Sequence, residues 1–140
     1  MRILGLDIGT KNIGVALSDE SATSAQARGV ILRKSDALAI TGICDLVREF
    51  KVDEVVIGLP INMNGTHGPR AEDSEKFAER LGEILEIEVN LWDERLSTKE
   101  MEDVLISALV RRKKRKGVID KLAAQIILQG YLDNRKAQQE

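Results

Sequence analysis

The chain has 140 residues, about the size of one ordinary domain, and we expect a single unit over residues 1–140. Leu, Ile, Val and Phe supply 42 of these residues, a share well above that of disordered polypeptides, so the chain should fold. One cysteine excludes an intrachain disulfide framework, and one histidine excludes a zinc site built from several Cys and His ligands. No apolar run approaches the roughly 20 residues that cross a bilayer, and the acid in MRILGLDIG interrupts any signal peptide, so we expect a soluble, cytoplasmic protein.

The net charge of −2 conceals an uneven distribution of basic residues. The run RRKKRK, from Arg111 to Lys116, holds six of the 21 basic residues, and the rest of the chain has 15 basic against 23 acidic residues. A dense basic segment on a mildly acidic body favours contact with a polyanion, because neutralised phosphates release their counterions. The alternative interpretation of an isolated basic run is a solvated loop.

Three strands are predicted in succession near the N-terminus. The apolar runs RILGLDI and IGVALSD flank the tight, Gly-containing GTKN, which is typical of an antiparallel hairpin. A third run, RGVILR at Arg28 to Arg33, follows small and polar residues. The three runs therefore predict an antiparallel meander.

Helices and strands alternate beyond Ser35. Apolar residues at helical spacing between Leu38 and Phe50 predict a helix, and EVVIGLP then predicts a buried strand. After the loop INMNGTHGP, Pro69 is well placed to open a second helix, and EIEVNLW supplies the fifth strand.

Two further helices complete the pattern. Ser97 and Glu100 form a capping box before an apolar stripe, and a second stripe runs from Ile119 to Tyr131. The order of elements predicts an α/β fold: a mixed five-stranded sheet, with an antiparallel three-strand meander plus two parallel strands, flanked by helices.

An acid, Asp7, lies inside the first predicted strand between Leu6 and Ile8. A carboxylate in a buried strand is costly unless it is paired, hydrogen-bonded or bound to a cation, so its presence suggests a ligand or metal site. The alternative is a strand-end aspartate that accepts backbone N–H groups from the following turn.

Two more acidic features lie far along the chain. The fifth strand ends in Asp93 and Glu94, followed by Arg95; strand geometry lets one of the two acids share a face with Asp7 but does not choose between them. The alternative is an ordinary polar strand end paired with Arg95. Asp120 lies at the start of the last helix, at the border of its apolar stripe, where its alternative role is to complement the helix dipole.

We expect these acids, from two strands and the terminal helix, to converge at one end of the sheet. Oxygen-only ligands favour Mg²⁺ or Mn²⁺. Two such ions about 4 Å apart activate a water and stabilise the leaving oxygen during phosphodiester hydrolysis.

Four segments resemble, in order, the motifs of the YqgF/RuvX family: LGLDIGTKNIGVALSD, VVIGLPINMNGTHGPRA, LWDERLST and IDKLAAQIILQGYLD. The resemblance spans nearly the whole chain. It implies a ribonuclease H-like fold related to Holliday junction resolvases, and a nuclease, since bacterial members are regarded as processing the ends of pre-16S ribosomal RNA. It also implies that catalysis and metal binding fall to Asp7, Glu94 and Asp120, with Asp93 as the competing choice.

The resemblance and the charge distribution together suggest a set of substrate contacts. They lie in the turn beside Asp7, in the glycine-rich loop from Gly58 to Arg70, in the DER motif and in the basic run. The predicted contacts are Thr10, Lys11, Asn12, Asn62, Asn64, Arg70, Arg95, Arg111, Arg112, Lys113, Lys114, Arg115 and Lys116. His67, within the loop, is interpreted as a surface histidine, with no general-base role.

Three alternative functions stay open on the sequence. LDIGTKNIG also resembles the first phosphate loop of actin-like ATPases and sugar kinases, but those enzymes close two such domains around a nucleotide and this chain has the length of one. A Holliday junction resolvase would act on branched DNA as a two-fold dimer. A non-catalytic RNA-binding module would use the basic segment alone, although an aromatic content of 3% disfavours a base-stacking platform. We expect a metal-dependent nuclease acting on pre-ribosomal RNA, as a monomer or homodimer.

Overall fold

A mixed five-stranded sheet organises the described part of the chain. The computed structural model describes residues 1–62, 64–94 and 116–139, with side chains in the last range described for residues 122–137. The strands are β1 (Ile3–Ile8), β2 (Asn12–Ser18), β3 (Ala25–Leu32), β4 (Glu54–Leu59) and β5 (Glu88–Asp93), and the helices are α1 (Asp36–Glu49), α2 (Pro69–Ile84) and α3 (Lys116–Gln139). The strand order across the sheet is β3-β2-β1-β4-β5.

The strand pairing confirms the predicted fold. β1, β2 and β3 form an antiparallel meander, whereas β4 pairs parallel to β1 and β5 pairs parallel to β4. The three parallel strands therefore end at the same side of the sheet. We call this side the carboxyl edge.

Local sequence signals explain where several elements begin. The Ser35 side chain accepts a hydrogen bond from the Leu38 N–H and caps α1, and Pro69 opens α2, where its missing N–H leaves no helical bond unmade. β3 begins at Ala25 and not at the predicted Arg28. Its first residues lack an apolar pattern, but Ala25 pairs with β2 and donates its N–H to Gln129 Oε1 of α3 at 2.9 Å.

The C-terminal part differs in one detail from the sequence prediction. α3 begins at Lys116, so Asp120 lies in its second turn and not at its start. The helix predicted after Ser97 lies outside the described residues. Among the helices that are described, none is both long enough and apolar enough to cross a membrane.

Each face of the sheet carries its own apolar layer. Leu6 of β1 packs in the layer that includes Phe77 of α2, together with residues of α1. Ile3 of β1 packs in the opposite layer with Trp92 of β5 and Leu128 of α3. Because side chains alternate along a strand, the odd-numbered residues of β1, Asp7 among them, point to the α3 side.

Helix α3 approaches β1 very closely at Gly5. A Cβ on this glycine would lie 2.7 Å from Leu128 Cβ and 3.4 Å from the Ala124 carbonyl oxygen, so a larger residue requires displacement. Nearer the helix C-terminus, Arg135 Nη2 lies 3.1 Å from Met1 Sδ. These two contacts show that α3 runs antiparallel to β1, with its N-terminal end towards the carboxyl edge.

Replacing Gly5 by alanine tests this close approach. We expect Gly5→Ala to lower the free energy of unfolding by about 1–3 kcal/mol, because the new methyl group overlaps Leu128. Gly82→Ala is the matched control: a Cβ there meets nothing within 4 Å, and alanine in place of a helical glycine should stabilise by about 0.5–1 kcal/mol. Urea unfolding of both variants measures the difference, and equal stabilities would contradict the packing described.

Candidate active site

Asp7 provides the first carboxylate of the site. It lies near the end of β1, paired with Gly14 of β2, and its side chain is 14% exposed. Arg70, close to the start of α2, places its Nη2 atom 4.0 Å from Asp7 Oδ1, and 63% of the Arg70 side chain is exposed. The Asp7 carboxylate therefore lies at the carboxyl edge with an arginine beside it that is open to solvent.

Glu94 provides the second carboxylate, from the residue after β5. The register aligns Leu6 with Ile57, so Asp7 and Gly58 are neighbours on adjacent strands, and Gly58 is aligned in turn with Trp92. A Cβ added to Gly58 would lie 2.4 Å from Ile127 Cδ1 of α3 and 3.3 Å from Glu94 Cδ. The missing side chain of Gly58 lets Ile127 pack directly on β4, and the Glu94 carboxyl group lies beside it on the same face.

Burial and the charge of Asp7 raise the pKa of Glu94 to about 7. Desolvation is the largest cause, and the negative charges of Asp7 and, more weakly, Asp93 act in the same direction. The Arg70 guanidinium opposes them. A buried carboxyl group that ionises reluctantly next to a second carboxylate is a donor set that a divalent cation would stabilise, because hard cations prefer oxygen ligands and offset both charges.

The two acids of the DER motif lie on different faces of the sheet. Trp92 packs in the α3 layer, and the Glu94 carboxyl group lies over Gly58 on that same side. Alternation along β5 turns Asp93 to the opposite face. Glu94, and not Asp93, therefore shares the face of Asp7.

Asp120 belongs to α3, one turn before Ala124, whose carbonyl oxygen lies against Gly5. Four residues towards the helix N-terminus advance about 6 Å towards the carboxyl edge. Two residues along β1, from Gly5 to Asp7, advance about 6.6 Å in the same direction. The backbone of Asp120 therefore lies at the level of Asp7, whereas its side chain is outside the described atoms. Among the described side chains, no three Asp, Glu, His or Cys residues group as a metal site.

The turn between β1 and β2 lies at the same edge as Asp7. The Gly9 N–H donates to the Asn12 carbonyl at 2.9 Å, and a Cβ on Gly9 would come within 2.4 Å of that oxygen, so the turn requires glycine. Thr10 and Lys11 are exposed at the tip, and Asn12 is half-buried. The predicted phosphate contacts in this turn therefore lie at the same edge of the sheet as Asp7.

The loop between β4 and α2 folds by its own hydrogen bonds. Asn62 Nδ2 donates to Thr66 Oγ1 at 3.0 Å, and Asn64 Oδ1 accepts from the Thr66 N–H at 3.1 Å and from its hydroxyl group at 2.6 Å. Asn62 and Asn64, predicted as substrate contacts, thus also shape the loop. His67 is exposed, with Nδ1 2.7 Å from Glu75 Oε1, as expected of a surface histidine.

Some predicted residues lie outside the description, and the sequence analysis missed others. Arg95 and Arg111 to Arg115 are outside the described residues, and so is the side chain of Lys116. The sequence analysis did not single out Gly58, where Ile127 and the Glu94 carboxyl group lie directly on β4. The available signal was a glycine inside the apolar strand EVVIGLP, since a glycine in a strand interior often marks a close approach.

Comparisons with known proteins agree with this architecture. A family model described as "RuvX: Holliday junction resolvase" matches residues 1–134. Proteins of Bacillus cytotoxicus and Bacillus cereus, each named "Putative pre-16S rRNA nuclease", are 54% identical to this chain over 137 residues, which cover 96% of this chain and 100% of each relative.

Two solved structures share the fold at low sequence identity. The T. thermophilus RuvC complex with a Holliday junction substrate has a TM-score of 0.62 at 11% identity, covering 97% of this chain and 96% of that chain. The Fowlpox virus resolvase in complex with Holliday junction DNA has a TM-score of 0.59 at 14% identity, covering 96% and 99%. At these identities the likeness shows the fold alone, which is that of ribonuclease H-like resolvases.

The ionisation of Glu94 can be measured in the metal-free protein. We expect its carboxyl group to titrate at about pH 7, and Asp7→Asn to lower that pKa because a neighbouring negative charge is removed. Since the pKa is raised on folding, this group favours the folded state below about pH 4.5, and the contribution is lost as the pH rises through 7. NMR titration of the side-chain carboxyl carbon measures both variants. Asp93→Asn is the control and should lower the pKa less, because Asp93 is the weakest of the charges acting on Glu94.

Proposed function

The chain belongs to the RuvX family and is a phosphodiester hydrolase, a nuclease; on this premise we propose that it uses Mg²⁺ or Mn²⁺ to cleave pre-16S ribosomal RNA during maturation of its ends. The observation that carries the proposal is the pair of carboxylates, Asp7 and Glu94, on one face of the carboxyl edge with Gly58 between them. The resolvase-like fold family is generally dependent on divalent metals.

Asp7, Glu94 and Asp120 are the residues that we assign to metal binding. The fit rests on the position of the Glu94 carboxyl group over Gly58, on the same face as Asp7, and on the raised pKa of Glu94, which a cation would lower. When bound, divalent ions supply an activated water and neutralise charge on the phosphate and the leaving oxygen. We include Asp120 because its backbone, on α3, lies at the level of Asp7.

Other residues of the chain bind and orient the nucleic acid. Arg70 is exposed next to Asp7, so its guanidinium can bind a phosphate oxygen at the reacting position. Thr10 and Lys11, at the exposed tip of the neighbouring turn, can hold the next phosphates. We assign Arg111 to Lys116 to the backbone further along the substrate, a contact that positions the nucleic acid without reading its bases.

The relatives' name favours ribosomal RNA over branched DNA as the substrate. The Bacillus proteins at 54% identity are named for pre-16S rRNA, whereas the description of the family model refers to Holliday junctions. We therefore keep cleavage of four-way DNA junctions as the second candidate. Side-by-side assays on a pre-16S RNA end and on a four-way junction separate the two, and preferential cleavage of the junction would replace the proposed substrate.

Removing single carboxylates tests the proposed metal site. Asp7→Asn and Glu94→Gln should each lower Mg²⁺- or Mn²⁺-dependent cleavage by about a hundredfold or more, because each removes an oxygen charge from the cation site. Asp93→Asn is the matched control and should stay within about threefold of the parent, since its side chain lies on the opposite face. Equal, metal-independent cleavage by the parent and Asp7→Asn would reject the mechanism. RNA binding without cleavage in every variant would indicate a non-catalytic binding module.

The basic segment is tested through the salt dependence of RNA binding. Replacing Arg111, Arg112, Lys113 and Lys114 by Gln should weaken binding and reduce the slope of log K against log [salt] by about 0.7–0.9 for each lost phosphate contact. The control variant removes four basic residues elsewhere: Lys34, Arg48, Lys51 and Lys76. An equal loss of RNA affinity in both variants would mean that binding depends on the net charge of the protein. No loss of affinity in either variant would identify the basic run as a solvated loop.

A further inference from the structure

Arg33, just after β3, joins three separate segments through one guanidinium group. Nη1 and Nη2 donate to the two carboxylate oxygens of Asp73 in α2 at 2.6 and 2.8 Å. Nη1 also donates to the Gly9 carbonyl at 3.0 Å, and Nε donates to Asp36 Oδ1 of α1 at 2.8 Å. The forked shape of the guanidinium allows all four bonds at once.

The surroundings of Arg33 make this arrangement rigid. The side chain is 10% exposed, and its guanidinium carbon lies 5.3 Å from the centre of the Phe77 ring. Hydrogen bonding from Arg33 holds the pKa of Asp73 below its usual range, so the partner stays charged at neutral pH. A buried arginine with a bidentate carboxylate partner loses most of its freedom of movement.

The segments that Arg33 joins are connected to the two neighbours of β1 in the sheet: the turn leads to β2 on one side, and α2 follows β4 on the other. Gly9 begins the turn that presents Thr10 and Lys11, and the Arg33 backbone N–H also donates to the Lys11 carbonyl at 2.8 Å. Asp73 lies three residues after Arg70 in α2, whose first turn therefore moves together with it. Arg33 thus connects the turn after β1 to the helix that carries Arg70.

We propose that Arg33 is a positioning residue that fixes the spacing between the β1–β2 turn and Arg70, and thereby sets how tightly the phosphate backbone of the nucleic acid binds across Asp7. The inference rests on the proposed nuclease function and assigns Arg33 to binding of the substrate, with no contact to the reacting atoms. A lysine keeps the charge but presents a single ammonium group, which cannot bind Asp73 in a bidentate manner and reach Gly9 and Asp36 as well.

The test compares Arg33→Lys with Arg80→Lys. Arg80 Nη1 binds the other oxygen of the same aspartate, Asp36, at 3.0 Å, and its position in α2 is far from the turn. We expect Arg33→Lys to raise KM for the RNA by roughly tenfold, with kcat within about twofold of the parent, because binding groups separate while the carboxylates stay in place. Arg80→Lys should leave both constants unchanged.

Two further variants separate positioning from stability. Asp73→Asn breaks the link to α2 but leaves the turn and α1 contacts of Arg33, and should raise KM in the same way. Asp36→Asn should lower the melting temperature without raising KM, since Asp36 contacts neither the turn nor Arg70. If KM rises as much in Asp36→Asn as in Arg33→Lys, Arg33 is a structural residue and the proposal is wrong. The proposal is also wrong if KM rises in neither variant.

A second measurement keeps this test apart from that of the proposed function. In ¹⁵N-resolved NMR spectra of Arg33→Lys we expect shifts of the Thr10 and Lys11 amides and of the Arg70 Nε–H group, with Arg80→Lys as the reference. Absence of these shifts would overturn the positioning role even where KM changes. If Arg33→Lys shows these shifts but the parent protein cleaves no nucleic acid, the spacing role of Arg33 is upheld and the proposed nuclease substrate is rejected instead.

Discussion

The close contact between α3 and the sheet is the constraint on which the site depends. At Gly5 and Gly58 the helix approaches the strands so closely that a single Cβ would overlap Leu128 or Ile127. This contact fixes the height of α3 along β1, and with it the level of Asp120 relative to Asp7. At Gly58 the Glu94 carboxyl group lies beside Ile127, and its carboxyl carbon would be 3.3 Å from an added Cβ. The contact between α3 and the sheet therefore requires glycine at positions 5 and 58 and also determines where the acids lie.

The carboxylates so placed are unfavourable by themselves. Burial and mutual repulsion oppose the second negative charge, as the pKa of Glu94, about 7, shows. Arg70 compensates in part, but it is largely exposed and lies 4.0 Å from Asp7, where solvent screens the attraction. Two carboxylates close together in a well-packed region agree with the cation-binding role that we propose.

The sequence predicted most of the fold, and the family resemblance named Glu94, but strand geometry alone did not choose between Asp93 and Glu94. The strand runs and Pro69 at the start of α2 are local signals, and the structure confirmed them because neighbours along the chain determine them. The choice between Asp93 and Glu94 depends on which face Trp92 occupies, and that follows from packing against α3. The start of β3 at Ala25 depends on a hydrogen bond to Gln129, 104 residues away. Such contacts leave no local pattern in the sequence.

The two layers of the molecule contribute different parts of the site. Asp7, Gly58 and Glu94 face α3, whereas Arg33 packs over Phe77 in the layer of α1 and α2. The layers meet at the carboxyl edge, where the turn after β1 and the first turn of α2 flank the carboxylates. Arg70 links the two layers, because it belongs to α2 and its guanidinium lies 4.0 Å from Asp7 and lowers the pKa of Glu94. A change in the α1 and α2 layer that moves Arg70 therefore also alters the charge balance at the two carboxylates.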